Sequence, residues 1–463
     1  MSDFLRLGSE RDLRLRSGQA HRGGLALFTD LYELTMLQAW LAEGLTDTAV
    51  FTLFVRRLPR ERNFLLACGI DTVLDYLEQL TFTDEDLAYL RALGPFTDDC
   101  LQWLRSFQFT GDVHAVPDGT PLFANEPILE IVAPVVQAQL VETIVMNQIH
   151  AQTVLASKAA RIVAAARGRS VIDFGTRRAH GIDAALKGAR AFSIAGVQAT
   201  SNVLAGKLYG IPVSGTMAHS YVQTHADEPE AFRAFARMFP GTVLLVDTYD
   251  TRRGIKRAID AIRSAPEGIS VSAIRLDSGD LDALSREARH LLDAAGLQRV
   301  RVFVSSDLDE YVIERLLHAG APIDGFGVGT GMAVSADAPS LDLVYKLAEY
   351  GGRGRTKLSA EKSILPGRKQ IFRRYDSGKA LGDVIGRADE QLAGDPLLRP
   401  VMRGGIRVDV RHELKSIRDY TAERLASLPS TVTALDPADP PYPVSLSDAL
   451  RDYYGRVRAD VGG

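Results

Sequence analysis

Between Ser170 and Met332 one phrase recurs seven times: a short apolar, β-branched run passes into a polar or glycine-bearing tail, and a helical stretch follows. The runs are SVIDFGTRR (170–178), ARAFSIAG (189–196), IPVSGTMAHS (211–220), TVLLVDTYDT (242–251), SVSAIRLDSGD (270–280), VRVFVSSDLDE (300–310) and IDGFGVGTGM (323–332). Strands and helices alternating at this pace make parallel βαβ units. Seven in succession predict an irregular, incomplete (β/α) barrel, whose active site is built from loops at the strand C-terminal ends. Those ends hold the Arg, His, Asp, Ser and Gly residues, so the chemistry is expected at one level of one domain.

The patterning on either side is different. FTDLYELTMLQAWLAEG (28–44) has a helical period, with Asp30 placed to cap its start and Gly44 to stop it. TAVFTLFVRRLP reads as a strand, helical patterns follow near 70–80, 84–93 and 97–106, and residues 113–134 alternate like short antiparallel strands broken by turns. Residues 135–169 are helical and Ala-rich, as for two helices leading into the barrel. Strand character returns at LDLVYKLAEYGG (341–352), then a basic, Gly-punctuated segment (351–374), then short strands in KALGDVIG and RPVMRGGI. These late strands most simply rejoin the N-terminal part. The expected organisation is a mobile tail (1–24), a discontinuous open α/β domain (25–150 with 351–440), the barrel (151–350) and a C-terminal extension (441–463).

Charge excludes some partners. The 54 Lys and Arg against 58 Asp and Glu leave a net charge of −4, with no basic footprint for nucleic acid. Phosphorylated ligands must then be held by locally placed cations and backbone N–H groups. No apolar stretch reaches membrane-spanning length, and no secretory signal is apparent, so a cytoplasmic protein is expected. The two cysteines, Cys68 and Cys100, read as reduced, buried thiols.

GTMAHS places His219 at the end of the third run, where an imidazole can act as base, ligand or phosphoryl acceptor; the plainer alternative is a helix cap. His225 reads as structural. DTYD offers Asp247 and Asp250; RLDSGD offers Arg275, Asp277, Ser278 and Gly279. Acids here can fix ribose hydroxyls, hold Mg²⁺ through phosphates or orient a histidine. Helix capping explains one acid in each motif but not Arg275, a charge at a strand end that is costly unless paired. GFGVGTGM is a Gly-rich loop at the last strand, able to cradle phosphate. In DFGTRR, Arg177 suits a carboxylate or phosphate, and Phe174 is either core or a stacking face. Lys357, Lys362, Arg368 and Lys369 form either a solvated face or a phosphate clamp.

DFGTRRAHG, TSNVLAGKLYGIPVSGTMAHS, DTYDT, RLDSGD, GFGVGTGM and KLS…LPGRKQ, with FTDLYELTM near the start, occur in an order that resembles the nicotinate phosphoribosyltransferase family, from about Ala26 to beyond Phe372. The resemblance implies a type II phosphoribosyltransferase fold: a seven-stranded irregular α/β barrel with an open α/β domain, in a homodimer with shared active sites. It implies transfer of phosphoribosyl from 5-phosphoribosyl-1-pyrophosphate to nicotinate, coupled to ATP hydrolysis, with Mg²⁺. His219 would be the phosphohistidine, and Asp247 or Asp277 would orient it and help hold Mg²⁺. Phe174 would stack on the pyridine, with Tyr32 of the partner subunit on the other face. Arg177 and Arg275 would hold the nicotinate carboxylate or the product phosphate. Asp277 would contact the ribose, with Ser278 and Gly279 beside it. Ser306, Asp307, Gly327, Gly329, Thr330 and Gly331 would line the 5′-phosphate region. In the related amide-using enzymes an Asp near the second strand meets the carboxamide. The matching segment, AGVQATSN, offers neutral Gln198 with Thr200 and Ser201, which favours the acid.

Nicotinamide phosphoribosyltransferase is the competing enzyme. Quinolinate phosphoribosyltransferase needs no phosphohistidine motif, and a phosphosugar isomerase would want a Glu or Lys base at a strand end. A non-catalytic ligand-binding homologue would be expected to lack His219, Arg275 or Asp277, and all three are present.

Overall fold

The structure is a computed structural model that describes residues 24–264, 270–358 and 364–462. The expected N-terminal tail, Gly24 apart, and Lys362 lie outside these residues. The chain divides into two compact units, Lys158–Asp337 and the remainder on either side of it.

The contiguous unit is built on six strands: β1 (Ser170–Asp173), β2 (Ala199–Thr200), β3 (Thr242–Leu245), β4 (Val271–Leu276), β5 (Arg301–Ser306) and β6 (Gly325–Val328). They form one parallel sheet in the order β2-β1-β6-β5-β4-β3, so the first strand pairs with the last. Two of the seven expected runs behave differently. ARAFSIAG lies within and just beyond the helix Ile182–Ile194, and the strand comes later, at β2. IPVSGTMAHS contributes one isolated parallel bridge, Thr200 with Val213, and no strand.

The helices of this unit start where short acids can cap them. Asp250, Asp280 and Asp309 accept hydrogen bonds from the N–H groups of Arg253, Ala283 and Val312 at 2.8, 3.2 and 2.8 Å. Each satisfies a donor that the first helical turn leaves orphaned. Capping thus consumes the second acid of each motif and leaves Asp247 and Asp277 at the strand ends. Elsewhere in this unit Lys158 and Arg161 meet the fully buried Glu310 at 2.5 and 2.9 Å, and Lys158 also reaches Asp337 at 2.7 Å. A buried charge held in this way avoids the cost of standing alone.

The discontinuous unit carries a seven-stranded antiparallel sheet. In it the strand Thr48–Val55 lies between Pro127–Pro134 and Leu343–Tyr350, and Arg399–Arg403 pairs with Asp112–Ala115. Late strands therefore do rejoin early ones. The first helix spans Leu31–Glu43, with Asp30 before it and Gly44 at φ 68° after it, a left-handed stop that glycine adopts without strain. Residues 441–462 are more than an extension. Val444–Leu446 pairs parallel with Lys379–Arg387, and Tyr442 stacks on Phe123 with 3.8 Å between ring centroids. Arg373, fully buried, lies against both rings and bonds Asp383 at 2.6 Å. Both cysteines are buried and neither forms a disulfide among the described residues.

Candidate active site

Strand pleating sends alternate side chains to opposite faces. On β5, Val302 and Val304 are buried, while Phe303 and Ser305 share the other face with Arg275 of β4 and Phe174 beyond β1. The Phe174 and Phe303 rings meet at 6.5 Å, and the Arg275 guanidinium stands 5.8 Å from the Phe174 centroid, a cation–π distance. Gly327 explains how the Phe174 ring lies so flat: a Cβ there would come within 2.5 Å of two ring carbons. Phe174 is half-buried, so it is not simply core.

Arg275 is the least satisfied group of the site. One terminal nitrogen donates to the Met217 carbonyl at 3.2 Å, but Nε is buried without a hydrogen-bond partner among the described residues. Burial holds its pKa below the ordinary arginine value; the carboxylates of Asp277 and Asp247 oppose that shift and Arg177 adds to it. Arg177, exposed on the short turn Thr176–Arg178, is thus close enough to repel it. Two guanidiniums and one orphaned donor around an aromatic face suit a planar anion.

Beside this face stands the His–acid arrangement. His219 opens the short helix His219–Gln223, after the bridging segment and not at a strand end proper. Its Nδ1 lies 3.2 Å from the Thr248 hydroxyl and its Nε2 3.7 Å from Asp277 Oδ2. The His219 and Asp277 side chains are 42% and 34% exposed, so the imidazole is reachable. The other Asp277 oxygen accepts from the Ser305 hydroxyl. Asp247 Oδ2 accepts from the Ser278 hydroxyl at 2.6 Å and the Asp277 N–H at 3.0 Å. Its Oδ1 is buried with no hydrogen-bond partner among the described residues. An orphaned carboxylate oxygen beside a second acid fits a hard cation that takes its remaining ligands from phosphates and water. Gly279 follows at φ 85°. His225 bonds the Tyr221 carbonyl at 2.8 Å, a structural role.

Asp173 escaped the sequence reading. Buried at the β1 end, it accepts from the Gly175 N–H and the Thr200 hydroxyl, each at 2.7 Å, and so ties the loop carrying Phe174 to β2. Burial raises its pKa, which those two bonds oppose. Ser305 and Thr248 were likewise missed: nothing in a lone hydroxyl marks it in sequence. Gln198 falls elsewhere than expected. Its N–H bonds the Val171 carbonyl at 3.0 Å, short of the strand end, and its side chain is exposed. The neutral residue at strand-end level is Ser201, bonded to the Asp173 carbonyl at 2.8 Å.

Ser306 and Asp307 are exposed at the β5 end, and Gly329, Thr330 and Gly331 follow β6 around the turn Thr330–Ala333. Ser306 has φ 127°, a backbone region that an L-residue occupies under strain. The basic segment belongs to the other unit. There Lys369 is buried and bonded to Glu130 at 3.0 Å, an engagement unlike that of a phosphate clamp. Arg368 lies 3.1 Å from His114, whose pKa falls to about 4 through burial and the nearby Arg368 and Arg403. Lys357 is exposed. Tyr32 is exposed on the first helix. Beside it Glu33 is buried, its carboxyl pushed up to about 7 by desolvation and the charge of Glu142, against hydrogen bonds from Thr143 and Thr29.

Parallel α/β strand ends arranged in this way suit an enzyme that brings a flat anionic ring to a phosphorylated partner. The sequence matches profiles for the nicotinate phosphoribosyltransferase (NAPRTase) N-terminal domain over residues 27–150, the NAPRTase family over 169–349 and the NAPRTase C-terminal domain over 393–454. It is 52% identical over 94% of both chains to the nicotinate phosphoribosyltransferase pncB2 of Mycobacterium tuberculosis. To the nicotinate phosphoribosyltransferase of Bacillus subtilis it is 42% identical, covering 81% of this chain and 79% of that one. The crystal structure of human nicotinic acid phosphoribosyltransferase superposes with a TM-score of 0.82 at 28% identity, covering 93% and 99% of the two chains. The chain belongs to the nicotinate phosphoribosyltransferase family.

Proposed function

We propose that the protein makes nicotinate mononucleotide for NAD salvage by an ATP-coupled transfer through a phosphohistidine. The observation that carries the reading is the Phe174 ring lying on Gly327 beneath an Arg275 whose Nε has no partner. That pair presents a stacking face and an unspent cationic donor to one small volume, as a pyridine carboxylate requires. The pyridine nitrogen bonds to C1 of the phosphoribosyl group as the C1–O bond to pyrophosphate breaks, and pyrophosphate leaves with the electron pair. Stacking and the arginine hold the ring in line for that attack. An imidazole nitrogen of His219 takes the γ-phosphoryl group of ATP, ADP leaving with the bonding pair, and water later releases phosphate. Thr248 and Asp277 orient the ring for this step. Mg²⁺, held by Asp247 with Asp277, would neutralise phosphate charge.

Ser201, neutral at the β2 end, favours the acid over the amide, because that position adds no carboxylate to repel nicotinate, and the nearby Asp173 carboxylate is buried and bonded to Thr200 and Gly175. Gly327, Gly329, Thr330 and Gly331 with Ser306 and Asp307 would receive the 5′-phosphate. In the same reading the six strands and the Val213 bridge are an open seven-membered ring. Phe28, Leu31, Tyr32 and Met36, all exposed, would be covered in a homodimer that brings Tyr32 to the partner's pyridine. Among the described residues no helix is long and apolar enough to cross a membrane.

The test is incubation with nicotinate, phosphoribosyl pyrophosphate and Mg²⁺, with and without ATP. Nicotinate mononucleotide formed faster with ATP, with acid-labile label on the protein from γ-labelled ATP that is lost in His219→Ala, is the expected result. Equal turnover of nicotinamide, or label that survives in His219→Ala, would refute it.

A further inference from the structure

The two strand-end carboxylates share one wiring pattern. One oxygen of each is tied down by a serine hydroxyl, Ser278 on Asp247 and Ser305 on Asp277. The other oxygen is presented: Asp247 Oδ1 lies buried and unpaired, and Asp277 Oδ2 faces His219 Nε2. Ser305 differs from Ser278 in being buried, at 4% exposure, and in reaching across from β5 to an acid just beyond β4. A buried serine commonly serves its own backbone. This one spends its hydroxyl on a side chain of the neighbouring strand, on the face it shares with Phe303. The next residue turns away sharply: Ser306 takes φ 127°, and the Leu308 N–H closes back on the Ser306 carbonyl at 2.9 Å. A strained turn directly after Ser305 fixes where its Cβ can point. Strain of this kind persists only where the surrounding structure over-determines it.

We propose that Ser305 is a positioning residue: by holding one oxygen of Asp277 it fixes the other toward His219 Nε2. Without that bond the Asp277 carboxylate rotates freely about its Cβ–Cγ bond and no longer presents one defined oxygen to the imidazole. The Ser305 hydroxyl bonds Asp277, while the His219 ring meets Thr248 and Asp277, so the effect of Ser305 on the imidazole passes through Asp277. The inference rests on the assignment of His219 as phosphoryl acceptor.

The experiment is a double-mutant cycle on the full-length enzyme, with Ser305→Ala, Asp277→Ala and both together. The readouts are nicotinate mononucleotide formation with and without ATP, taken in single turnover for the slow variants. Ser305→Ala should lower the ATP-stimulated kcat about 10- to 100-fold, the scale expected from a small misplacement of a reacting group, while KM for nicotinate moves less than about threefold. In the Asp277→Ala background the same change should cost less than about twofold. Ser305→Cys, close in size but a weak donor, should behave like Ser305→Ala, and it stands in if the alanine variant fails to fold. Losses that multiply fully in the double variant would overturn the proposal, as would a Ser305→Ala enzyme within threefold of wild type in kcat. If wild-type enzyme shows no stimulation by ATP, the phosphohistidine assignment falls, and the Ser305–Asp277 coupling is then read on the basal transfer rate.

Discussion

Arg275 offers the sharpest separation of function from stability. Among the described residues its Nε is buried without an acceptor, one terminal nitrogen makes a 3.2 Å contact to the Met217 carbonyl, and burial disfavours its charge. A charge-assisted hydrogen bond to a substrate anion contributes about 1.5–3 kcal/mol, so Arg275→Met should lower kcat/KM for nicotinate by roughly 10- to 150-fold. The stability change should be small or favourable, because methionine replaces an underpaired buried cation with an apolar chain that still covers Phe174. The loss of a counter-charge to Asp247 and Asp277 offsets part of that gain. Steady-state pyrophosphate release, titrated separately in nicotinate and in phosphoribosyl pyrophosphate, shows which anion Arg275 holds. If it holds the pyridine carboxylate, the KM for nicotinate rises and the preference for acid over amide shrinks toward parity; if the product phosphate, the phosphoribosyl donor's KM rises instead. An activity loss that only tracks a large fall in thermal midpoint, or no loss in either titration, would refute the reasoning.

Gly327→Ala sets a Cβ 2.5 Å from the Phe174 ring, which must tilt out of its stacking position; kcat/KM for nicotinate should fall at least about tenfold with a smaller change in thermal midpoint, measured by scanning calorimetry. Asp247→Asn removes the charge from an otherwise unpaired oxygen, so half-maximal activity should require several-fold more Mg²⁺, and an unchanged Mg²⁺ titration would count against a cation there. Glu33 gives a pH signature. Its folded pKa of about 7 stands above the ordinary 4.5, so its full contribution to stability is present below about pH 4.5 and is lost as pH rises through about 7. The loss is on the order of 3 kcal/mol. The thermal midpoint of Glu33→Gln relative to wild type should therefore rise between pH 5 and pH 8, and a constant difference would show that Glu33 does not titrate in that window.

Five of the seven strand phrases were legible because their β-branched runs end on charged or glycine tails; that one acid in each of DTYD and RLDSGD caps a helix was also legible, and the structure identifies them as Asp250 and Asp280. ARAFSIAG misled for a physical reason. Its helix is buried on several sides, including Ala189, Ala191, Phe192 and Ile194, and a short apolar run gives no period to tell a buried helix from a strand. The true strand, Ala199–Thr200, is two residues long and carries no pattern at all. Hydroxyls such as Ser305 and Thr248 acquire meaning only from what folding brings within reach. Lys369 stays open between a solvated face and a phosphate clamp until its buried partner Glu130 is seen.

The strand Thr48–Val55 has consequences for how the protein is made. Its neighbour Pro127–Pro134 emerges from the ribosome soon after it, but its other neighbour, Leu343–Tyr350, is translated only once the whole of Lys158–Asp337 has been made. Until then Thr48–Val55 offers an open edge of unpaired amides flanked by apolar side chains, the kind of surface on which nascent chains aggregate. The uninterrupted unit has no such wait, since all its strands arrive in one stretch. Translation order therefore favours the catalytic half folding first. The half with the antiparallel sheet stays dependent on chaperones until late in synthesis, and truncations after residue 337 should be recovered as aggregates or chaperone complexes, not as soluble N-terminal fragments.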